Sequence, residues 1–386
     1  MGLPLYRLEE LKRERENLVR QARGNGGLIF NKYFNLWKID PKNKSDWTIE
    51  AGEKAAWIQV ICSRPAGERS LLSAAAERLI DLVDSREGQF CCYKTSWRFV
   101  TGLGLNHPIE NGMLWHHTWG VPYLPGSSVK GLIRAWVEQW VGDVPQDDIK
   151  RIFGPRGTED GDNEELEKGV GNVIFFDALP LAPVAFSADV MTPHYQKYYS
   201  SENVEPGDWM DPNPIPFLTI DSGQVFLFAA APRRVNDAVG KSDLDTVFRW
   251  MGEALENMGA GAKTAVGYGR FERCLQSENR LRAAFTQRKE EKVKKASSIP
   301  LNLTGPISKE MIKEQYDTDP EEFLQIIKSK WVVKMQADDT SEADKITIAK
   351  LLKNWFQVYR EEQWEKPNRK NTPVVKAIRR VLSKMS

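Results

Sequence analysis

Residues 224–275 read QVFLFAAAPRRVNDAVGKSDLDTVFRWMGEALENMGAGAKTAVGYGRFERCL. The run at 224–231, which is apolar after Gln224, predicts a strand. Apolar residues then recur at helical spacing over 243–258, where Ser242 begins an S-x-x-D capping signal. The glycine-rich loop that follows leads into a second strand at 268–275. This stretch therefore predicts a β-α-β unit with a glycine loop between its helix and its last strand.

A similar unit precedes it in the chain. A strand is predicted at 92–101, a helix begins at Ser127 or Ser128, and another strand covers 172–179. The resulting order of strand, helix, strand, strand, helix, strand predicts an α+β fold of the ferredoxin-like (RRM-like) type. The connection between the two units forms a long insertion at about 181–222, a length typical of a functional loop.

The chain divides by composition into four regions. Residues 1–90, with a charged helix at 5–23, are expected to form a helical docking region that packs on the core. Residues 91–275 form the predicted ferredoxin-like domain. Residues 276–305 are highly charged and read as a linker, and helical periodicity over 306–386 predicts a helical C-terminal domain.

Composition limits the classes of function. The 386 residues include 54 Lys and Arg and 53 Asp and Glu, a net charge of +1. A contact with a polyanion must therefore come from local basic patches. The four cysteines form no C-x-x-C pair and the histidines no H-x-x-x-H pair, so neither a metal nor another cofactor is predicted. Without a signal peptide or a membrane-length apolar run, we expect a cytoplasmic protein with no membrane partner.

The glycine loop at 259–270 has the composition of a phosphate-binding loop. It does not match the nucleotide-hydrolysing pattern G-x-x-x-x-G-K-[ST], because Ala262 separates Gly261 from Lys263 and the loop follows a helix. Thr264 likewise breaks the dinucleotide pattern G-x-G-x-x-G. Glycines beside basic residues let an extended polyanion approach the backbone amides, so the loop indicates binding to a nucleic-acid backbone.

A second motif, GVPYLPGSSVKGLIRAW, covers residues 120–136. Its Gly-Ser-Ser sequence stands at a predicted helix N-terminus, where free amides and the helix dipole favour an anion. Lys130 and Arg134 are four residues apart, on the helix face opposite the apolar stripe. Simple helix capping with a solvated basic face is the alternative interpretation.

These two motifs resemble the signature segments of the RAMP superfamily of CRISPR-associated proteins. Further segments, GLGLNHPIENG, VIFFDALPL, DVMTPHYQKYY and PNPIPFL, stand in the order seen in the sixth subunit of Cmr effectors of type III-B. The resemblance covers about residues 25–275. It implies a guide-RNA-binding scaffold that caps the filament of backbone subunits near the 3′ part of the CRISPR RNA.

The resemblance also implies partners and site residues. The partners would be CRISPR RNA, the target RNA paired to it, the backbone RAMP subunit, the small helical subunit and a further terminal RAMP subunit. The predicted RNA-binding residues are Gly126, Ser127, Ser128, Lys130, Gly131, Arg134, Gly261, Lys263, Thr264, Gly267, Gly269 and Arg270. Phosphates and shape would be read by the protein, and target sequence by base pairing.

The insertion contains aromatic residues that suit contact with bases. His194, Tyr195 and Tyr198 are predicted to stack on bases or wedge between them. The resemblance implies that such an insertion is a thumb that interrupts the guide–target duplex. Packing of the insertion onto the core or a neighbouring subunit is an equal alternative.

Catalysis has only one candidate pair, and the chain is interpreted as a non-enzyme. His107 and Glu110 could act as a general acid and base in a loop that lacks the aspartate of related filament subunits. Asp177 is interpreted as a structural acceptor, and Asp189 is still less suited to catalysis. Two rival functions stay open: a RAMP endoribonuclease that processes precursor CRISPR RNA, and a protein–protein adaptor without direct RNA contact.

Overall fold

The computed structural model of the chain describes residues 25–34, 36–40, 42–43, 46–155, 169–194, 198, 205, 207, 212–297, 305–316 and 318–383. The chain divides into two compact units, residues 1–281 and 282–386.

The first unit mixes helices and strands. Its helices are α1 (Gly26–Lys32), α2 (Ala51–Cys62), α3 (Arg69–Ser85), α4 (Gly126–Trp136), α5 (Gln146–Phe153) and α6 (Ala238–Asn257), and α7 (Leu275–Ser297) starts near its end. Its strands are β1 (Lys38–Ile39), β2 (Trp47–Thr48), β3 (Gln89–Thr95), β4 (Asn106–His107), β5 (Glu110–Asn111), β6 (Val173–Phe175), β7 (Leu179–Pro180), β8 (Phe186–Met191), β9 (Ile215–Ile220), β10 (Val225–Pro232) and β11 (Phe271–Arg273). The prediction of an α+β fold is confirmed.

The main sheet has the strand order β11-β3-β10-β6, and β7 also pairs with β10. Each neighbouring pair is antiparallel, with Phe228 opposite Cys91 and Phe271 opposite Thr95. Helix α4 lies between β3 and β6 in the chain, and α6 lies between β10 and β11. The two β-α-β units therefore share one sheet, in which the first and third of the four main strands are central.

The central strand β10 is buried along nearly its whole length because helices cover it. Phe226 and Phe228 point to the same side of the strand and share a core with Leu244 and Met251 of α6. Fully burying a side chain of this size contributes about 1.5–3 kcal/mol. The apolar run at 225–231 is thus a strand without a solvent-facing side.

Helix α6 begins earlier than its sequence pattern predicts. The expected cap, Ser242, lies inside the helix, and the Asp237 carboxylate instead accepts a hydrogen bond from the Val239 amide at 3.1 Å. Both residue types cap helices well, and the additional turn buries Gly240 against β10's last residue, Pro232. The predicted boundary was therefore wrong by about one turn.

The described N-terminal residues belong to the core of the first unit. Phe30, Phe34 and Trp57 are buried in the same cluster as Phe226 of the sheet. Where the structure describes residues 1–90, they therefore contribute to the core of the first unit. The predicted helix at 5–23 lies outside the described residues.

The insertion at 181–222 forms an antiparallel hairpin of β8 and β9. Reciprocal backbone hydrogen bonds of 2.8 and 2.9 Å join Ile220 at its base to Phe99. Just before β8, Val184 exchanges two backbone hydrogen bonds with Ala66. The base of the insertion is therefore anchored in the first unit.

The charged segment at 276–305 is not an irregular linker over most of its described length. Helix α7 occupies Leu275–Ser297, and Gln287 donates a hydrogen bond of 3.0 Å to Glu291 one turn later. Its sequence is rich in Arg, Lys, Glu, Gln and Ala, which have high helix propensity and can pair at i,i+4. The charged segment predicted as a linker is therefore helical from its start to Ser297.

The described residues of the second unit after α7 form helices. These are α8 (Pro306–Lys313), α9 (Pro320–Ile326), α10 (Val332–Gln336), α11 (Glu342–Tyr359), α12 (Glu361–Glu365) and α13 (Thr372–Ser383). Their core surrounds the buried indoles of Trp331 and Trp355. Trp355 donates to the Tyr316 carbonyl at 2.9 Å, so its polar atom is satisfied inside the core.

Candidate nucleic-acid interface

The glycine loop after α6 is folded tightly onto the segment that follows β3. The Ala262 amide donates to the Val100 carbonyl, and the Gly269 amide donates to the Arg98 carbonyl, both at 2.8 Å. A Cβ atom added to Gly261 would lie 2.1 Å from the Val100 oxygen. The close approach to Val100 therefore requires a glycine at position 261, whether or not the loop binds a ligand.

Four of the five amides at residues 261–265 of this loop remain open. Those of Gly261, Lys263, Thr264 and Ala265 have no acceptor among the residues that the structure describes. Lys263 has left-handed backbone angles of 60° and 30°, and Thr264 starts a 3-10 turn. Successive amides in such a conformation form a concavity that binds anions. The loop can therefore offer several donors to phosphate oxygens.

The basic side chains of the loop differ in how they are held. The Lys263 ammonium lies 5.7 Å from the centre of the Phe217 ring and forms no ion pair with any described residue. Arg270 donates to the Glu256 carbonyl at 3.1 Å, near the C-terminus of α6. Lys263 thus keeps its charge available, while Arg270 also helps to end a helix.

A side-chain cluster joins the loop to the base of the hairpin. The Asp189 carboxylate on β8 accepts hydrogen bonds from the Tyr268 hydroxyl and the Arg98 guanidinium. Burial favours the neutral acid, but the bonds from Tyr268, the Val190 amide and Arg98 outweigh it and lower the pKa of Asp189. Burial and the bond to Asp189 raise the pKa of Tyr268 to about 12. Asp189 is therefore a structural anchor.

The lowered pKa of Asp189 predicts a pH-dependent stability. The ionised Asp189 carboxylate contributes to the free energy of unfolding. This contribution is fully present above the pKa of an unfolded Asp, about 3.9, and is lost as pH falls through the lower pKa of the folded state. We expect Asp189→Asn to lower the free energy of unfolding by about 1–2 kcal/mol at pH 7. The difference from the parent should shrink as pH falls below about 4, which urea unfolding between pH 2.5 and 7 would measure.

A matched control for this test is Asp147→Asn, an exposed carboxylate in the first turn of α5. Its effect should stay within about 0.5 kcal/mol at pH 7. An Asp189→Asn effect that did not change between pH 7 and pH 3 would contradict the predicted linkage.

The N-terminus of α4 is partly occupied by the protein itself. The Asp177 carboxylate accepts a hydrogen bond of 2.7 Å from the Gly126 amide, which confirms its interpretation as a structural acceptor. Neither Ser127 nor Ser128 caps the helix with its side chain, so that prediction was wrong; Pro125 precedes the first turn. A Cβ atom on Gly126 would lie 2.3 Å from the Phe175 oxygen. Gly126 therefore packs against β6, and only the two exposed serines face outward at this end.

The basic residues of α4 also differ from each other. Burial, followed by the charges of Arg134 and Arg233, lowers the pKa of Lys130. No described carboxylate forms an ion pair with Lys130, so it keeps an unpaired charge. Arg134 instead pairs with Glu138 at 2.9 Å and donates to the Gly154 carbonyl at 3.2 Å. Lys130 is therefore the more available of the two predicted phosphate contacts.

Gly131 and Gly267 are the predicted glycines with open space around them. A Cβ atom added to either residue would meet nothing within 4 Å. Gly131 is exposed on α4, and Gly267 follows the 3-10 turn of the loop. Their lack of a side chain is therefore not required by internal packing.

The two motifs lie at opposite edges of the sheet. The glycine loop leads into β11, and the first turn of α4 contacts β6. Three strand spacings of about 4.8 Å separate these edges by roughly 14 Å. The motifs thus occupy two separate positions on the sheet.

His107 is held by the fold on both ring nitrogens. Its Nε2 lies 2.8 Å from the Phe30 carbonyl oxygen, and its Nδ1 accepts from the Ile109 amide at 3.2 Å. The ring stacks on Phe30 at 4.1 Å, and burial lowers the pKa of His107. Glu110 pairs with Lys54. This geometry gives both candidates structural partners.

The predicted thumb residues are described only in part. His194 and Tyr198 are exposed in the segment between β8 and β9, and Tyr195 lies outside the described residues. Among the described residues, no group of three or more His, Cys, Asp or Glu side chains is placed to hold a metal ion. No helix in the described ranges is long and apolar enough to cross a membrane.

Sequence reasoning missed the residues that position the loop. Arg98 lies outside the motifs singled out above, Phe217 belongs to the segment PNPIPFL but was given no role, and Asp189 was weighed only for catalysis. Their roles depend on contacts between residues that are at least 46 positions apart in the chain. The only local signal is that Asp189 lies on a strand of the insertion. A carboxylate that is partly buried there requires a hydrogen-bond or ion-pair partner.

Comparison with known proteins identifies the family. The RAMP superfamily pattern matches residues 87–272. The CRISPR system Cmr subunit Cmr6 of Pyrococcus furiosus is 30% identical over 281 residues, covering 59% of this chain and 80% of that protein. The Cmr6 subunit of Saccharolobus solfataricus is 34% identical over 165 residues, covering 42% of this chain and 49% of that protein.

Two solved structures are also similar to the chain. The cryo-EM structure of the type III-B Cmr-beta bound to cognate target RNA matches with a TM-score of 0.45 and 22% identity, covering 67% of this chain and 86% of the matched chain. The crystal structure of Cmr6 from Pyrococcus furiosus matches with a TM-score of 0.29 and 28% identity, covering 48% of this chain and 98% of the matched chain. Given the identity to the Pyrococcus protein and the share of it that is covered, the chain belongs to the RAMP superfamily and, within it, to the Cmr6 family of CRISPR subunits.

Proposed function

We propose that this protein is a guide-RNA-binding scaffold subunit of a type III-B CRISPR effector that targets RNA. The observation that carries the proposal is the glycine loop, where four open amides at residues 261–265 accompany Lys263, whose ammonium forms no ion pair with a described residue. Such a site binds the phosphates of an RNA strand and does not depend on its sequence. The strand order, with the fourth main strand beside the first, supports a ferredoxin-like core for this scaffold.

The separation of the two motifs supports an extended ligand. A single phosphate cannot reach both Lys263 and Lys130, because the attachment points of the motifs are about the width of the sheet apart. An RNA backbone supplies a charge at every nucleotide and can contact both. Asp177 beside Gly126 favours approach through Lys130 and the exposed serines.

The family supports the proposed assembly. We propose that the chain caps the filament of backbone RAMP subunits near the 3′ part of the guide, next to the small helical subunit and a further terminal RAMP subunit. The hairpin between β8 and β9 would be the thumb, with His194, Tyr195 and Tyr198 near the guide–target duplex. The proposed action is binding of guide and target RNA without catalysis.

The test is the salt dependence of RNA binding. We expect Lys130→Ala with Lys263→Ala to weaken binding of a labelled single-stranded RNA and to reduce the slope of log K against log salt by about 1.4. Each lost phosphate contact removes about 0.7 from the slope. Fluorescence anisotropy at several salt concentrations measures both quantities.

The control is Lys241→Ala, which removes one positive charge that is already paired with Glu87 at 3.1 Å. We expect a slope close to that of the parent. If the double variant binds and crosslinks to guide RNA as the parent does, the protein acts as an adaptor without direct RNA contact through these loops.

The endoribonuclease alternative has a separate test. Because both ring nitrogens of His107 have partners within the fold, we expect no specific cleavage of repeat RNA without metal. Cleavage that disappears in His107→Ala or His194→Ala would contradict a purely scaffolding role. Circular dichroism should accompany the His107 variant, since that ring is packed in the core.

A further inference from the structure

Trp97 is a large aromatic side chain that the fold leaves exposed. It is 53% exposed, and no other aromatic ring of the described residues packs against it. Burying an indole is among the larger apolar contributions that a side chain can make, so leaving it in water forgoes stability. Its neighbours indicate what could cover it.

The backbone places Trp97 directly beside the glycine loop. The Ser96 amide donates to the Arg270 carbonyl at 2.9 Å, and the Arg98 carbonyl accepts from Gly269 at 2.8 Å. Trp97 lies between these two bonds, so its position is fixed relative to the end of the loop. The Arg98 guanidinium carbon lies 5.5 Å from the centre of the indole.

The surroundings of Trp97 are rich in donors. Lys263 and the open amides belong to the adjoining loop, and Arg98 extends from the next residue. The nearby Asp189 carboxylate is already engaged by Arg98 and Tyr268. An exposed flat ring beside groups that bind phosphate suits a nucleotide, since the base and the phosphate can be held together. A protein-docking tryptophan would more typically lie within an apolar patch.

We propose that Trp97 is a stacking platform for one unpaired nucleobase of the RNA strand whose phosphates the glycine loop holds. The proposal rests on the RNA-binding function proposed above. Stacking does not select a particular base, because every base presents a π face. Trp97 therefore adds affinity and holds one base out of the duplex without reading sequence.

The test compares Trp97→Leu and Trp97→Tyr in the full chain, using a labelled single-stranded RNA. We expect Trp97→Leu to weaken binding about 5- to 150-fold at every salt concentration, with the salt slope unchanged. Trp97→Tyr should keep most of the affinity, because it keeps an aromatic face. Trp140→Leu, which removes another exposed tryptophan at 66% exposure, should bind like the parent.

The outcomes separate this proposal from the one it rests on. Unchanged affinity in Trp97→Leu, with a reduced slope in Lys263→Ala, overturns the stacking site and retains the phosphate site. Absence of RNA binding by the parent chain overturns both. Normal RNA binding by Trp97→Leu with loss of co-purifying Cmr subunits assigns Trp97 to a protein interface and also overturns the proposal.

Discussion

Replacing Gly269 by alanine should destabilise the first unit by about 3 kcal/mol or more. Gly269 has a φ of 70°, which costs a residue with a Cβ about 1–2 kcal/mol. The added Cβ would also lie 1.9 Å from the Ala260 carbonyl oxygen, a contact that forces the loop to move. The same movement should weaken RNA binding, because the open amides belong to this loop. Urea unfolding followed by circular dichroism, with anisotropy at a temperature where the variant is folded, measures both effects.

Gly267→Ala is the matched control for backbone strain alone. Gly267 has a φ of 95° in the same loop, but its added Cβ would meet nothing within 4 Å. We expect it to cost about 1–2 kcal/mol. If Gly269→Ala and Gly267→Ala lowered the free energy of unfolding by the same amount, the contact with Ala260 would not be the cause of the destabilisation.

Arg151→Met should lower the free energy of unfolding by about 3 kcal/mol. Arg151 on α5 holds the Asp243 carboxylate of α6 through two hydrogen bonds of 2.8 and 3.1 Å. The Asp243 side chain is only 5% exposed, so removing Arg151 leaves a buried charge without its partner. The loss should also loosen the end of α5, where Gly154 accepts the bond from Arg134.

Two further variants test that explanation by urea unfolding. Arg249→Met removes an exposed arginine of α6 that forms no ion pair with a described residue, and it should change stability by less than about 0.5 kcal/mol. Arg151→Met combined with Asp243→Leu should recover part of the loss, since both charges are then absent. A double variant no more stable than Arg151→Met would argue against an uncompensated charge as the cause.

Periodicity identified the elements that carry the site, because periodicity is a local property. The apolar run before α6, the helical spacing within it and the glycines after it each depend on residues close in the chain. The boundaries were less predictable. Asp237 and Ser242 are both good caps, and the sequence alone does not distinguish them; in the structure Asp237 caps the helix and Gly240 packs against Pro232.

Side-chain roles were harder to predict for the same physical reason. Lys130 and Arg134 are equivalent in the sequence, yet Glu138 and Gly154 engage only the arginine. His107 looks reactive beside Glu110, but Phe30, 77 residues earlier, accepts its hydrogen bond and stacks on its ring.

The sequence by itself determined the α+β order of strands and helices, the presence of two glycine- and lysine-bearing motifs, and the family to which the chain belongs. Each of these depends on local spacing or on the order of segments. Only the tertiary structure decided which charges are free, which glycines are required by packing, and that the two motifs lie at opposite edges of the sheet. Those properties depend on partners far away in the chain, such as Asp177 for Gly126 and Asp189 for Tyr268. Such contacts cannot be predicted from local sequence patterns, because the patterns involve only residues close together in the chain.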